Sequence, residues 1–195
     1  PDPRTAPRVV FDFGVGSLTS GTPALWADAE LCARKIERRL EDAGAAIGIG
    51  CYDEVRGVYT SPAFSKPGND GPSARTVHLG LDLFAPPGTA VFAPLDGVVH
   101  SVADNAHPLD YGPTVILEHE AGPGGLRFYT LYGHLAKGSS AALIPGDPVR
   151  AGTRIARIGA REENGGWPPH LHVQLVTDLL DRHGDFPGVA DPAER

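Results

Sequence analysis

Residues 78–102, HLGLDLFAPPGTAVFAPLDGVVHSV, decide the fold: short apolar runs alternate with Gly and Pro turns. Val77–Phe84, Ala90–Ala93 and Gly97–Ala103 read as strands, separated by Pro86-Pro87-Gly88 and Asp96-Gly97. The pattern continues through Thr114–Glu118, Arg127–Tyr132, Arg154–Ile158 and His170–Val176. Gly122-Pro123-Gly124-Gly125 and Pro145-Gly146-Asp147 supply further turns. Such strands in series without intervening helices predict a mainly β, antiparallel unit, a sandwich or open barrel.

Upstream the character changes. Residues 23–43 carry a helical period, with Thr22-Pro23 as cap and first turn and Gly44 as stop signal. Leu25, Cys32, Ile36 and Leu40 form its apolar stripe. Ala45–Cys51 reads as a buried strand, and Ser61–Ala74 as a loop rich in Ser, Pro and Gly. The expected organisation is an N-terminal α/β extension over 1–74 containing this helix, a β core over 75–177, and a tail or linker over 178–195.

Composition narrows the function. The 195 residues are 41% hydrophobic and 21% charged, the profile of a globular chain with a core. A net charge of -7 without a basic cluster argues against nucleic acid and gives no attraction to anionic membrane surfaces. No run approaches the ~20 apolar residues of a membrane span. Cys32 and Cys51 are not spaced as a CxxC pair; a disulfide requires the fold to bring them together, and two buried free thiols of a reducing compartment are the favoured reading. With no Met and no signal-peptide pattern at Pro1-Asp2-Pro3-Arg4, the chain is expected to be a processed product or a segment of a longer polypeptide.

Eight histidines are present, and four sit in tight motifs. In His78-Leu79-Gly80-Leu81-Asp82, His and Asp are both zinc ligands. On a regular strand they would lie about 13 Å apart, too far for one ion with bonds of about 2.0–2.2 Å. A bend at Gly80 is therefore required. In His170-Leu171-His172 both rings share a strand face, about 6.6 Å apart along the chain. His134 follows the apolar strand Arg127–Tyr132. Three protein ligands with a fourth position for water make a catalytic zinc, which lowers the pKa of water toward about 7. A nearby histidine can then carry the proton. Each motif alone is weak, since HxH recurs by chance in strands; together in one domain they reinforce one another. His100, His107, His119 and His183 read as structural or exposed. Isolated acid–Arg pairs, such as Arg161 with Glu162 and Glu163, read as solvated surface.

The segments HLGLDLFAPPGTAVFAPLDGVVHSV, TVILEHE, FYTLYGHL, VRAGTRIARIG and PPHLHVQL resemble the lysostaphin/LytM-type zinc metallopeptidases, from about Arg75 to about Val176. The resemblance implies an antiparallel β core with a groove, one zinc per chain held by His78, Asp82 and His172, and catalytic histidines at His134 and His170. Two positions depart from the family pattern: Gly166-Trp167-Pro168-Pro169 stands where a Ser/Thr-Gly-Pro turn is usual, and Gln174 stands where an acidic residue is usual. These changes leave the metal positions alone and bear on the family's usual substrate, glycine-containing peptidoglycan cross-bridges. Trp167 could line or narrow the groove.

The flanks GIGCYDEVRGVYTSPAF (48–64) and NGGWPPHLH with GDFPGVA look like the peptidase-like segment inside large bacterial fusions. Those join an aminoglycoside-phosphotransferase-like kinase, this domain and a class III pyridoxal-phosphate aminotransferase. That resemblance implies a cytoplasmic location, covalent kinase-like and aminotransferase-like neighbours, and a small peptide or amide substrate.

The leading expectation is a zinc-dependent hydrolase cleaving a peptide or amide bond. A non-catalytic binding or scaffold domain is the alternative: APLDGVVHSV also looks like the hairpin of biotinyl and lipoyl carrier domains. Those need a lysine at the tip, where this chain has Asp96-Gly97. A purely structural zinc would use four protein ligands, often cysteine.

Overall fold

A computed structural model describes residues 2, 4–17, 28–59, 62–68, 71–122 and 124–194. The chain is mainly β, dominated by antiparallel pairs, with one α-helix among the described residues. It divides into two compact units, residues 1–84 with 187–195, and residues 85–186.

The first unit contains β1 (Arg8–Phe11), α1 (Ala29–Asp42), β2 (Ile47–Gly50), β3 (Glu54–Val55), β4 (Ser65–Gly68), β5 (Gly71–Ala74), β6 (Val77–His78) and β7 (Leu81–Phe84). Asp28 caps α1, its Oδ1 accepting from the amides of Glu30 and Leu31 at 3.1 and 3.0 Å. The expected cap at Thr22-Pro23 lies outside the described residues. Gly44 ends the helix with φ +58°, its amide donating to Glu41 and that of Ala45 to Leu40. A left-handed residue lets the last carbonyls find partners, and glycine adopts it without steric cost. Cys32, Ile36 and Leu40 pack with Phe11, Phe13 and Phe84, as the stripe predicts. We expect Asp28→Ala to cost about 1 kcal/mol, a fall in Tm of roughly 2–4 °C, measurable by thermal denaturation.

β1 pairs parallel with β2, and β2 pairs antiparallel with β7, setting Gly50 opposite Asp82. β3 pairs with β6, setting Glu54 opposite His78. The expected loop over 61–74 is instead largely the β4–β5 hairpin, joined backbone to backbone from Ser65↔Ala74 to Gly68↔Gly71. Its Ser, Pro and Gly residues have low strand propensity, so tertiary placement rather than local preference sets it.

The second unit contains β8 (Ala90–Phe92), β9 (Gly97–Asn105), β10 (Gly112–Ala121), β11 (Leu126–Gly133), β12 (Pro148–Val149), β13 (Arg154–Arg157) and β14 (His170–Val176). Antiparallel pairing runs β14-β11-β10-β9-β12, with β13 on β8. β10 holds Val115, Ile116 and Leu117 fully buried. Ile116, Leu131, Val176, Leu179 and Tyr111 form a core cluster with Tyr129 and Phe186 against it. Within the tail, β15 (Val189–Ala190) belongs to the first unit and pairs with β6. No helix among the described residues is long and apolar enough to cross a membrane.

Candidate functional site

The bend that His78 and Asp82 need is present. The chain leaves β6 at His78, turns at Leu79-Gly80, and enters β7 at Leu81 with a different partner strand. His78 Nε2 thereby comes 3.2 Å from Asp82 Oδ1, both side chains buried. Nδ1 of His78 lies 2.9 Å from the carbonyl oxygen of Cys51. A carbonyl only accepts, so Nδ1 carries the proton and Nε2 is the basic nitrogen. Two acceptors that face each other at this distance need a proton or a cation between them. Tetrahedral zinc ligands with bonds of about 2.1 Å stand about 3.4 Å apart, so the pair fits such an ion as two of its ligands.

The other oxygen of Asp82, Oδ2, accepts from Arg56 Nη1 at 2.5 Å. Arg56 also donates through Nε to Glu54 Oε2 at 2.8 Å and through Nη1 to the Tyr59 hydroxyl at 3.3 Å. Arg56 and Glu54 are buried, not a solvated surface pair. Burial opposes the charge on Arg56, and Tyr59, Asp82 and Glu54 outweigh it, so its pKa lies above the ordinary value. Burial pushes the Tyr59 hydroxyl up to about 12.

In the second unit His134, His170 and His172 converge, all buried. The ring centroids of His134 and His170 are 4.2 Å apart, and those of His134 and His172 are 6.2 Å apart. His134 has φ +62°, a conformation uncommon for a side-chain-bearing residue. Its amide donates to Tyr111 and its carbonyl accepts from Gly159, which hold it there. Nδ1 of His134 meets the Asn164 carbonyl at 2.8 Å, and Nδ1 of His170 meets the Pro168 carbonyl at 2.7 Å. Both rings therefore carry their proton on Nδ1 and present a basic Nε2. The HxH strand does place His170 and His172 together, as its period requires.

Asn164 and Tyr111 support the site although the sequence did not single them out, and they stand beside Gln174 and Trp167, which it did. Asn164, fully buried, accepts from the amides of Gly166 and Trp167 on its side chain while its carbonyl orients His134. Tyr111 lies 5.6 Å from His134 and 5.2 Å from His172, ring to ring. Gln174 Oε1 lies 3.1 Å from His172 Nε2, so the usual acidic residue is replaced by a neutral acceptor on the same ring. Trp167 stands edge-on to His134 at 6.3 Å. A cavity of about 490 Å3 opens along this loop between His107, Lys137, Arg161 and Gly166.

The remaining histidines have other roles. His119 bonds Asp96 and Thr130 in the interior, and His100 stacks on His183 at 4.9 Å. Both cysteines are free thiols. Burial pushes the Cys32 thiol up to about 12, which makes it a poor nucleophile.

A model of peptidase family M23 matches residues 76–182, more than half of the chain. The chain belongs to peptidase family M23. This M23 chain is 38% identical over 98 residues to an uncharacterized metalloprotease of Haemophilus influenzae, covering 50% of this chain and 18% of that protein. It is 35% identical over 98 residues to the DD-carboxypeptidase/endopeptidase Mpg of Neisseria meningitidis, covering 50% and 20%. The matched region thus spans about a fifth of the length of these relatives. Among solved structures, the catalytic domain of lysostaphin from Staphylococcus simulans is similar at 27% identity and TM-score 0.41, over 61% of this chain and 78% of that one. The catalytic domain of the prophage-encoded M23 protein EnpA from Enterococcus faecalis is similar at 25% identity and TM-score 0.43, over 66% and 82%.

Proposed function

We propose that the chain is a zinc-dependent hydrolase of peptide or amide bonds, with His78, Asp82 and His172 as ligands of one zinc and His134 and His170 as the catalytic bases. The observation that carries this reading is the His78–Asp82 pair, two buried acceptor groups 3.2 Å apart with the His tautomer set by the Cys51 carbonyl. With Nε2 of His172 engaged by Gln174, Nδ1 is the nitrogen this ring would offer. Zinc in such a site polarises a carbonyl and lowers the pKa of water.

The chain's own residues supply the proton handling. Nε2 of His134 and of His170, each fixed by a carbonyl on Nδ1, can take a proton from water and return it to the leaving amine. With the two rings side by side, a ring that has already taken up a proton on Nε2 would be a donor able to stabilise developing negative charge, while its neighbour, still neutral, accepts the next proton. Trp167, its ring 6.3 Å from that of His134, is placed to narrow what can approach it.

Peptidoglycan cross-bridge peptides are one substrate class, the one the family resemblance implies; the Neisseria meningitidis relative is named a DD-carboxypeptidase/endopeptidase, which is in keeping with a peptide substrate. We favour a small peptide or amide handled in the cytoplasm, with this domain as part of a multidomain enzyme beside kinase-like and pyridoxal-phosphate aminotransferase-like domains; the support is the sequence of the flanks at 48–64 and 184–190. Metal analysis of protein prepared without chelators should give one zinc per chain. A screen of peptide and amide substrates should then give turnover that chelation removes and zinc restores. Stoichiometric zinc without turnover on any substrate would favour the scaffold alternative.

A further inference from the structure

The family match begins at residue 76, yet the structure ties the His78–Asp82 pair to a segment before it. Residues 51–59 wrap the pair from the first unit. The Cys51 carbonyl takes His78 Nδ1 at 2.9 Å and Arg56 Nη2 at 3.3 Å. Arg56 Nη1 donates to Oδ2 of Asp82, the oxygen turned away from His78. One guanidinium therefore bonds Asp82 directly and His78 through a shared carbonyl. Glu54 balances its charge at Nε, and the same Glu54 accepts from the Phe13 amide at 2.6 Å.

The surroundings are shaped to hold this guanidinium. It lies over the Phe13 ring at 5.1 Å. A Cβ at Gly50 would come 2.9 Å from Arg56 Nη2 and 3.3 Å from Asp82 Cβ, so a side chain there would crowd the contact. The residues on either side of β3 reinforce the placement: the Asp53 amide donates to the His78 carbonyl, and that of Arg56 to the Thr76 carbonyl.

We propose that Arg56 is the positioning residue of this site, fixing the carboxylate of Asp82 and the ring plane of His78 for metal binding. The inference rests on the zinc reading above. It makes the 51–59 segment part of the site and extends the functional unit beyond the family match. Arginine's planar fork, with donors on three nitrogens, suits this; lysine keeps the charge but offers one nitrogen.

The test is zinc affinity, measured by competition with a chromophoric chelator on the whole chain. Outer partners of metal ligands are worth about 10–100-fold in affinity. Arg56→Lys should raise the zinc dissociation constant about tenfold, and Arg56→Met toward a hundredfold. Asp28→Ala, which destabilises the helix cap of the same unit, should leave it unchanged. Folded Arg56 variants that bind zinc within twofold of wild type would overturn the proposal and make Arg56 structural only. If neither variant folds, wild type decides by NMR: the Nε–H resonance of Arg56 should shift as zinc is added, saturating at one equivalent, and an unmoved resonance at saturation overturns the role. Wild type that binds no stoichiometric zinc would defeat the zinc reading itself, a different outcome from equal binding by wild type and variants.

Discussion

Replacing His134 by alanine is expected to leave zinc bound at one ion per chain while slowing hydrolysis about 10²–10⁴-fold, the usual contribution of a positioned acid–base group. His134 is not among the proposed ligands, and its Nδ1 is held by the Asn164 carbonyl. Its loss removes a proton carrier, not a metal ligand. Alanine at φ +62° carries strain of its own, so asparagine is the cleaner replacement. Asparagine tolerates the left-handed region, and its amide can donate to the Asn164 carbonyl as the ring does. It cannot accept a proton near neutral pH. His134→Asn should therefore keep the fold and the metal and show the full loss in kcat. Metal analysis and steady-state kinetics on the same preparation read both quantities. A variant that loses zinc together with activity would move His134 from catalyst to metal site.

The sequence made the five motif residues legible because each sits in a short window with a strong local constraint. HxH works through the two-residue period of a strand, and β14 bears that out. HxxxD demands a bend, and the break between β6 and β7 supplies it. The long strands β9, β10 and β11 were visible because β-branched runs between Gly and Pro turns have few other readings. Two-residue strands such as β3, β12 and β15 contain no period to detect. The β4–β5 hairpin was hidden by its Pro and Gly content. Arg56 escaped for a different reason: it meets Asp82 across 26 positions of sequence. In the sequence, Glu54-Val55-Arg56 looks like an ordinary solvated pair. The pairing of β3 with β6 brings this stretch beside His78, and both side chains of the pair are buried.

His172→Ala is the substitution expected to remove zinc altogether. Under the proposed ligand set it leaves only His78 and Asp82, and a catalytic zinc holds three protein ligands. The loss should exceed the about 10–100-fold that outer partners such as Arg56 contribute. Thermal denaturation gives an independent reading. Zinc at about 100 times its dissociation constant stabilises the folded state by about 2.7 kcal/mol. For a chain of this size that corresponds to a rise in Tm of roughly 5–11 °C. Wild type should show this rise on adding zinc, and His172→Ala should not, while the two zinc-free proteins melt within a few degrees of each other. His172 packs beside Tyr111 and is buried, so alanine leaves a small cavity, and a modest fall in the zinc-free Tm is expected with it. Retained zinc in His172→Ala would point to His134 or His170 as the third ligand. The His134→Asn result separates those two, because a ring cannot both hold the metal and be lost without releasing it.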